Sequence, residues 1–335
     1  MHTLAIPALL ISLLLPLTVF CENCEKPYNV EILVSDDVNG DIKNLTAQGA
    51  ITLHQDVFQV LVANQTIKKL CQNYVIINNE LTVLQLLNNS IEDISPSAFN
   101  ISATLALLKI SENPLNTIKK GVFNEVRTKE LDLSYNNIAV IEADALENNT
   151  YLEIIKLNHN FIKEFDPNWF TKTPNVYKIS AIYNEMTKIP AYAFVNMTKS
   201  RPLKIRLSAN RIEEIDPMAL EGAGIIDMLK LGGNRIRELP GQLFVNKTIK
   251  SLQVDTNKLQ CFPEEFFNST LTELTFEDNT SFDCACLIRV KNFVEDRNVT
   301  VVYPAIICED KSKGVQIVFN KDKTFKIPII KPSTV

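Results

Sequence analysis

A ladder of asparagines constrains this chain more than any other feature. Gln65, Asn89, Asn113, Asn136, Asn160, Asn184, Asn210, Asn234, Asn257 and Asn279 each end a run of the form L-x-x-L-x-L-x-x-N. Successive ends lie 24, 24, 23, 24, 24, 26, 24, 23 and 22 residues apart. Around Asn136 the apolar residues Leu131 and Leu133 alternate with polar ones, and Ile138 and Ile141 follow the corner. Alternation of this kind is the mark of a strand with one buried face, so Leu131 and Leu133 are expected inside and Asp132 and Ser134 in water. One such unit cannot close a core. Stacked units bury their leucines in a continuous column, and each asparagine side chain can bond backbone groups that the corner leaves unpaired. Length alone suggests two domains, but a stack grows by adding units and counts as one elongated domain.

The period and consensus resemble those of leucine-rich repeats. That resemblance implies an α/β solenoid, a horseshoe with one repeat per anchor, a parallel β-sheet on the concave face and disulfide-bonded caps at the ends. Nine or ten residues after most anchors stands a bulky apolar residue, expected to plug the convex side: Phe99, Phe123, Leu146, Phe170, Phe194, Leu220, Phe244 and Phe267. Thr128 and Pro202 occupy first-leucine positions, Ala181 a third-leucine position, and the step of 26 before Asn210 predicts an outer-face bulge near Thr198 to Pro202.

The run from Leu4 to Phe20 is apolar, short and followed by small or polar residues, which reads as a secretory signal peptide over 1–21. The organisation expected after it is an N-terminal cap over 22–56, repeats over 57–280, a cysteine cap over 281–310 and a tail over 311–335. No later stretch has the uninterrupted apolar length of a membrane helix or a lipid-anchor signal. Apolar residues at Gln316 to Phe319 and Phe325 to Ile330 predict partial packing of the tail on the cap. Ten N-x-S/T sequons, at Asn44, Asn64, Asn88, Asn100, Asn148, Asn196, Asn246, Asn268, Asn279 and Asn298, fit a secreted glycoprotein when taken with the signal peptide. Several fall on descending or convex segments, so sugar is expected to shield the back and leave the concave face bare.

The combination resembles secreted leucine-rich repeat proteins of the extracellular type, a class that includes Toll ectodomains, Slit-like modules and insect leucine-rich immune proteins. Short, divergent, sequon-rich repeats between cysteine caps resemble most the coil-less insect members, for which the family implies pathogen recognition in innate immunity. The resemblance also frames the cysteines. With Cys21 in the signal peptide, Cys24 and Cys71 remain at one end and Cys261, Cys284, Cys286 and Cys308 at the other, as an oxidising compartment favours. Cys24 is paired with Cys71. The sequence F-D-C-A-C resembles the C-terminal cap of the class, but only one downstream cysteine follows. That leaves two arrangements open, Cys284–Cys308 with Cys261–Cys286, or the swap. A zinc site would need two closely spaced cysteine pairs, which this spacing lacks, so no metal or cofactor is expected.

Counting back from each anchor defines the exposed strand face. Four residues before it stand Leu61, Gln85, Lys109, Asp132, Lys156, Ser180, Arg206, Lys230, Gln253 and Thr275; six before it, Lys178 and Lys204 join Ile154 and Met228. Against a net charge of -5, this gathers Lys156, Lys178, Lys204, Arg206 and Lys230 on one face. Such a patch suits an acidic partner, either an extracellular protein surface or an anionic glycan, although lysines also serve simply to solvate a sheet. Immediately before the anchor, Tyr135, His159 and Tyr183 follow one another in adjacent repeats. Strands about 4.8 Å apart would let these rings stack into a strip, either as a binding surface or as mutual packing at the strand ends.

Catalysis is not expected. The histidines are His2, His54 and His159, and no H-E-x-x-H, G-x-S-x-G or phosphate-loop motif occurs. Asp132 across from His159 would lie on an open surface where nothing excludes water. The reading is a secreted binding protein, in innate immunity or as an adhesion or signalling modulator or a non-catalytic carrier subunit, with no nucleic acid and no membrane anchor.

Overall fold

The computed structural model describes residues 29–35, 42–47, 49–53, 57–77, 80–124, 126–279, 282–301, 306–310 and 315–319. The expected signal peptide, Cys24, His54 and the segment Phe325 to Ile330 lie outside the described residues. One sheet of thirteen strands runs the length of the stack. Its strands are β1 (Val30–Ser35), β2 (Ile42–Ala47), β3 (Gln59–Ala63), β4 (Val83–Leu87), β5 (Leu105–Lys109), β6 (Thr128–Asp132), β7 (Ile154–Lys156), β8 (Lys178–Ser180), β9 (Leu203–Arg206), β10 (Ile226–Lys230), β11 (Ile249–Gln253), β12 (Glu273–Thr275) and β13 (Thr300–Val301). An antiparallel hairpin of β1 and β2 opens the sheet, and from β3 onward each strand lies parallel to the next in the same register. This is the leucine-rich repeat solenoid, with the sheet on its concave face.

The asparagine ladder holds the units in register. The Nδ2 of every anchor from Asn89 to Asn279 donates to the carbonyl three residues before the preceding anchor, for instance Asn160 to Leu133 at 3.0 Å and Asn184 to Leu157 at 2.8 Å. Its Oδ1 in turn accepts the N–H two residues past the preceding anchor, as in Ile138 to Asn160 at 2.9 Å and Ile162 to Asn184 at 3.1 Å. Two anchors depart from this pattern: the Asn89 Oδ1 accepts the Gln65 N–H at 3.0 Å, and the Asn136 Oδ1 is buried without a donor. These bonds satisfy polar groups in the middle of an apolar column, where an unmade bond is costly.

On the convex side, short parallel strands such as Ile51–Leu53, Val75–Ile77 and Phe99–Ile101 give way to 3-10 turns at Pro167–Phe170, Gly241–Leu243 and Glu264–Asn268. Phe99, Phe123, Leu146, Phe170, Phe194, Leu220 and Phe244 are buried there. The plug in the next repeat is Phe266 rather than Phe267, because the turn at Glu264–Asn268 brings the earlier ring inward. Phe267 is partly covered by Arg289, whose guanidinium carbon stands 4.3 Å from the ring centre. The residues that lengthen the step before Asn210 form an exposed bend over 199–202, immediately ahead of β9. Pro202 is exposed, Leu203 takes the buried position, and the pairing of β9 with β10 is irregular between Leu203 and Lys204. Thr128 fits its leucine position because its hydroxyl donates to the carbonyl of Glu130 at 2.8 Å.

The C-terminal end is closed by α1 (Cys284–Arg297), the one α-helix among the described residues. Asp283 caps its first turn by accepting from the Ala285 N–H, and Asn298 ends it in the left-handed conformation. Cys286, Leu287, Val290, Phe293 and Val294 point into the core, where Phe293 meets Phe266 at 5.0 Å between ring centres. Cys261 and Cys286 form a disulfide across 25 residues. This resolves the two open arrangements, since the swap would place Cys286 elsewhere. Cys71 and Cys284 each take part in a further, separate disulfide. Beyond the helix, Ile306–Asp310 and Val315–Phe319 form an antiparallel hairpin that lies against α1.

Candidate functional site on the concave face

Each strand leaves the concave face through one residue with a left-handed backbone, directly before the anchor. All ten repeats do this, at Asn64, Asn88, Glu112, Tyr135, His159, Tyr183, Ala209, Gly233, Thr256 and Asp278. The conformation turns the chain so that the anchor side chain points inward. Residues with a Cβ pay about 1–2 kcal/mol to adopt it, which is why asparagine and glycine are its usual occupants. Tyr135, His159 and Tyr183 nonetheless hold φ values of 58°, 53° and 57°.

Their rings offset part of that strain by stacking. Tyr135 and His159 lie 4.3 Å apart between ring centres at an interplanar angle of 11°, and His159 and Tyr183 4.4 Å apart at 19°. The backbone sets the spacing, because Tyr135 N–H donates to Asn158 O at 2.8 Å and His159 N–H to Ile182 O at 2.8 Å, each one repeat onward. The two tyrosines keep 56% and 57% of their surface in solvent, so the stack forms a ridge rather than a buried plug. Aromatic pairs of this geometry are worth about 0.5–1.5 kcal/mol beyond the area they bury.

The predicted basic residues lie on adjacent strands, but they are not equivalent. Lys156 is already neutralised, at 2.5 Å from Glu130 and 3.9 Å from Asp132. Lys204 faces Asp227 at 3.7 Å, a carboxylate it shares with Lys250. Among the described residues Lys178, Arg206 and Lys230 have no carboxylate within ion-pair distance. Asp132 does not meet water as expected: it is only 8% exposed, and its Oδ1 accepts from the Ser134 N–H at 3.0 Å. Ser134 is buried as well, since the inward curve packs short side chains beneath their longer neighbours.

Sequence reasoning missed three parts of this face. Glu130 stands six residues before its anchor and Asp227 seven, and reading those rows through every repeat would have exposed both ion pairs. The third part is an acidic end formed by Asp255, Glu277 and Asp278, two and one residues before the last two anchors. Burial, with Asp255 and Asp278 nearby, holds the Glu277 carboxyl above the ordinary carboxylate range. The Asp255 Oδ1 is buried without a hydrogen-bond partner, and a Cβ on Gly232 would come within 2.5 Å of it, so a glycine leaves the room this carboxylate occupies.

The sequons fall into three settings. Asn100, Asn148, Asn246 and Asn268 are exposed on the turns and convex segments, Asn196 is partly buried there, and Asn298 is exposed at the helix end. Asn44, Asn64 and Asn88 are exposed at the N-terminal end of the concave sheet, with Asn88 Nδ2 donating to Asn64 Oδ1 at 2.9 Å. A sugar-free concave face is therefore a property of its middle and C-terminal parts alone. Asn279 is the last anchor, and its amide nitrogen already donates to Val254, Phe276 and Glu277 carbonyls.

A stack of asparagine-anchored parallel strands, with a ridge of rings beside fixed charges on its sheet, defines a leucine-rich repeat protein. Comparison with known proteins agrees: the chain matches the model of the BspA type leucine rich repeat region in six copies, over residues 70–201 and 168–287. It belongs to the leucine-rich repeat family. It is 30% identical over 129 residues to Tsukushi of Gallus gallus, an overlap of 38% of this chain and 34% of that protein. It is 28% identical over 158 residues to osteomodulin of Rattus norvegicus, covering 45% of this chain and 36% of that one. With lumican of Bos taurus the identity is 28% over 177 residues, or 46% and 51% of the two chains. The chain thus spans between 34% and 51% of the length of these relatives.

Proposed function

We propose that this chain is a secreted, extracellular binding protein that takes a protein ligand on its concave face, with Tyr135, His159 and Tyr183 as the contact ridge. The observation that carries the reading is the ridge itself: three rings stacked in adjacent repeats, with both tyrosines exposed and His159 half-buried between them. The left-handed backbone is common to all ten repeats, so what sets these three positions apart is the stack of rings that the turn presents to solvent. Rigid aromatic rings supply contact area with little conformational entropy to lose, which suits a protein interface.

The extracellular setting is supported by disulfides at Cys71, Cys261, Cys284 and Cys286 and by nine sequons whose asparagines are not ladder anchors. The ridge and the cations beside it lie on an open face, and the reading is of a non-catalytic protein. Protein binding is the conclusion, and the likeness to Tsukushi, osteomodulin and lumican does not by itself favour an innate-immune role. The test immobilises the wild-type protein and the Tyr135→Ala/His159→Ala/Tyr183→Ala variant, exposes both to extracellular fluid of the producing tissue, and compares bound proteins by mass spectrometry. A protein retained by the wild type and lost from the folded variant is the expected result. Identical sets on both would overturn the reading.

A further inference from the structure

The concave face contains a cation cluster that its own carboxylates leave incomplete. Arg206 pairs in register with Ser180 on β8 and with Lys230 on β10, so Arg206 and Lys230 stand side by side. Lys178 lies on β8, two residues before Ser180. Burial, followed by the charges of Arg206, Lys156 and Lys204, holds its ammonium below the ordinary lysine range, with Glu130 opposing. The Arg206 Nε is closed off from solvent and has no hydrogen-bond acceptor. A buried donor of this kind calls for an acceptor, and none is supplied from within the described chain.

The cluster is also bounded. Toward the N-terminus Glu130 and Asp132 occupy β6, where they hold Lys156. At the start of β10 Asp227 holds Lys204 and Lys250, and toward the C-terminus Asp255, Glu277 and Asp278 follow. From β8 to β10 are two interstrand steps, about 10 Å in all. Two or three oxyanions fit that span, and a longer run of negative charge meets acid at both ends. Tyr183 stands five residues beyond Lys178, about 16 Å along an extended chain, and so presents the ring ridge beside the cations.

We propose that Lys178, Arg206 and Lys230 receive a short acidic stretch of a partner polypeptide, with the partner's adjoining apolar side chains resting on the Tyr135, His159 and Tyr183 ridge. This rests on the concave-face reading above and narrows its partner's chemistry. A polypeptide can switch from acidic to apolar within a few residues. A uniformly sulfated polysaccharide cannot, and it is repelled at both borders.

Fluorescence anisotropy at low ionic strength tests this with two labelled probes, a peptide of three glutamates spaced by glycines and heparin as the sulfated polysaccharide. Lys178→Ala/Arg206→Ala/Lys230→Ala is expected to weaken peptide binding by about tenfold or more, as loss of a partly desolvated charge site does. Glu130→Ala/Lys156→Ala/Lys204→Ala/Asp227→Ala, which removes each cation together with its carboxylate, is expected to change it less than about twofold. Circular dichroism checks that both variants fold, and Lys178→Arg/Lys230→Arg should restore binding. Asp255→Asn/Glu277→Gln/Asp278→Asn should raise heparin affinity while leaving the peptide's unchanged. Equal losses in the two alanine variants would reduce the cluster to diffuse charge and overturn the proposal. So would heparin binding the wild type more tightly than the peptide, or no peptide binding at all. The ridge variant separates the two readings. If it keeps its protein partner, the concave-face reading fails whatever the peptide does; if it loses the partner while the peptide ignores the cations, only the acidic chemistry falls.

Discussion

Replacing Asn184 by alanine isolates the energetics of the ladder more cleanly than any other anchor. Its Oδ1 is the acceptor for the Ile162 N–H at 3.1 Å, and both are buried. Its Nδ2 donates to Leu157 O at 2.8 Å, yet that carbonyl keeps a second donor from Asn160 at 3.1 Å. The weaker bond to Ile182 O, at 3.5 Å, ends on a carbonyl that also accepts from His159. The substitution therefore orphans one buried N–H, which costs about 1–3 kcal/mol, and removes one further net hydrogen bond of about 1 kcal/mol. The total is about 2–4 kcal/mol. Gln65→Ala is the control: its side chain makes one bond, from Nε2 to Ala63 O at 3.1 Å, in a part-buried setting, and should cost less than about 1 kcal/mol. Urea denaturation followed by fluorescence of the single tryptophan reads both variants. Trp169 suits this purpose because it is 2% exposed, packs on Phe165 and belongs to the repeat that Asn184 closes. A loss for Asn184→Ala no larger than that for Gln65→Ala would refute the argument that satisfied polar groups, rather than the leucines alone, hold the register.

Three further outcomes follow from the same geometry. Tyr183→Gly relieves left-handed strain of about 1–2 kcal/mol and gives up one stack worth about 0.5–1.5 kcal/mol. Its melting temperature should stay near wild type while partner binding falls, and a large drop in melting temperature would contradict the strain assignment. Glu277 binds its proton more tightly in the folded chain than in the unfolded one, so its destabilising effect is complete at neutral pH and is relieved as pH falls through its raised pKa. Glu277→Gln should therefore raise the melting temperature at pH 7 and remove that part of the gain on acidification; an unchanged or lower value at neutral pH would count against it. In glycopeptide mass spectrometry of the secreted protein, Asn148 and Asn246 should carry sugar and Asn279 should not, because the Asn279 amide is spent on three carbonyls. Sugar found on Asn279 in folded protein would remove it from the ladder.

The repeat scaffold was legible because its period is set by backbone bonding that only a few side chains can complete. A leucine three residues before an asparagine, and the same pair again one turn later, leave little choice of register, and substitutes such as Thr128 and Ala181 are absorbed without moving the strands. The plug at Phe266 was less legible, because two adjacent phenylalanines carry no mark of which one a 3-10 turn will face inward. The left-handed row before each anchor left a faint trace in the sequence. Asn64, Asn88 and Gly233 occupy it, and asparagine and glycine are what that conformation favours. Glu112, Ala209, Thr256 and Asp278 share the conformation, so the rings of Tyr135, His159 and Tyr183 stand out by their stacking across adjacent repeats and not by backbone strain.

Charge was the least legible part, for a reason that lies in side-chain length. Position relative to the anchor assigns a lysine to the concave face, but whether that lysine is free depends on carboxylates one strand away and two or three residues off in row. Lys156 reaches Glu130, and Lys204 reaches Asp227, because a flexible four-carbon stem spans the gap between strands. Lys178 is surrounded by Arg206, Lys156 and Lys204, while the Lys156 charge is drawn toward Glu130. A cluster of five cations read from the sequence thus becomes, in three dimensions, two lysines held by carboxylates and an open triad at Lys178, Arg206 and Lys230. The triad lies on three adjacent strands, which confines any acidic partner to a few residues and places its neighbouring side chains against the ridge.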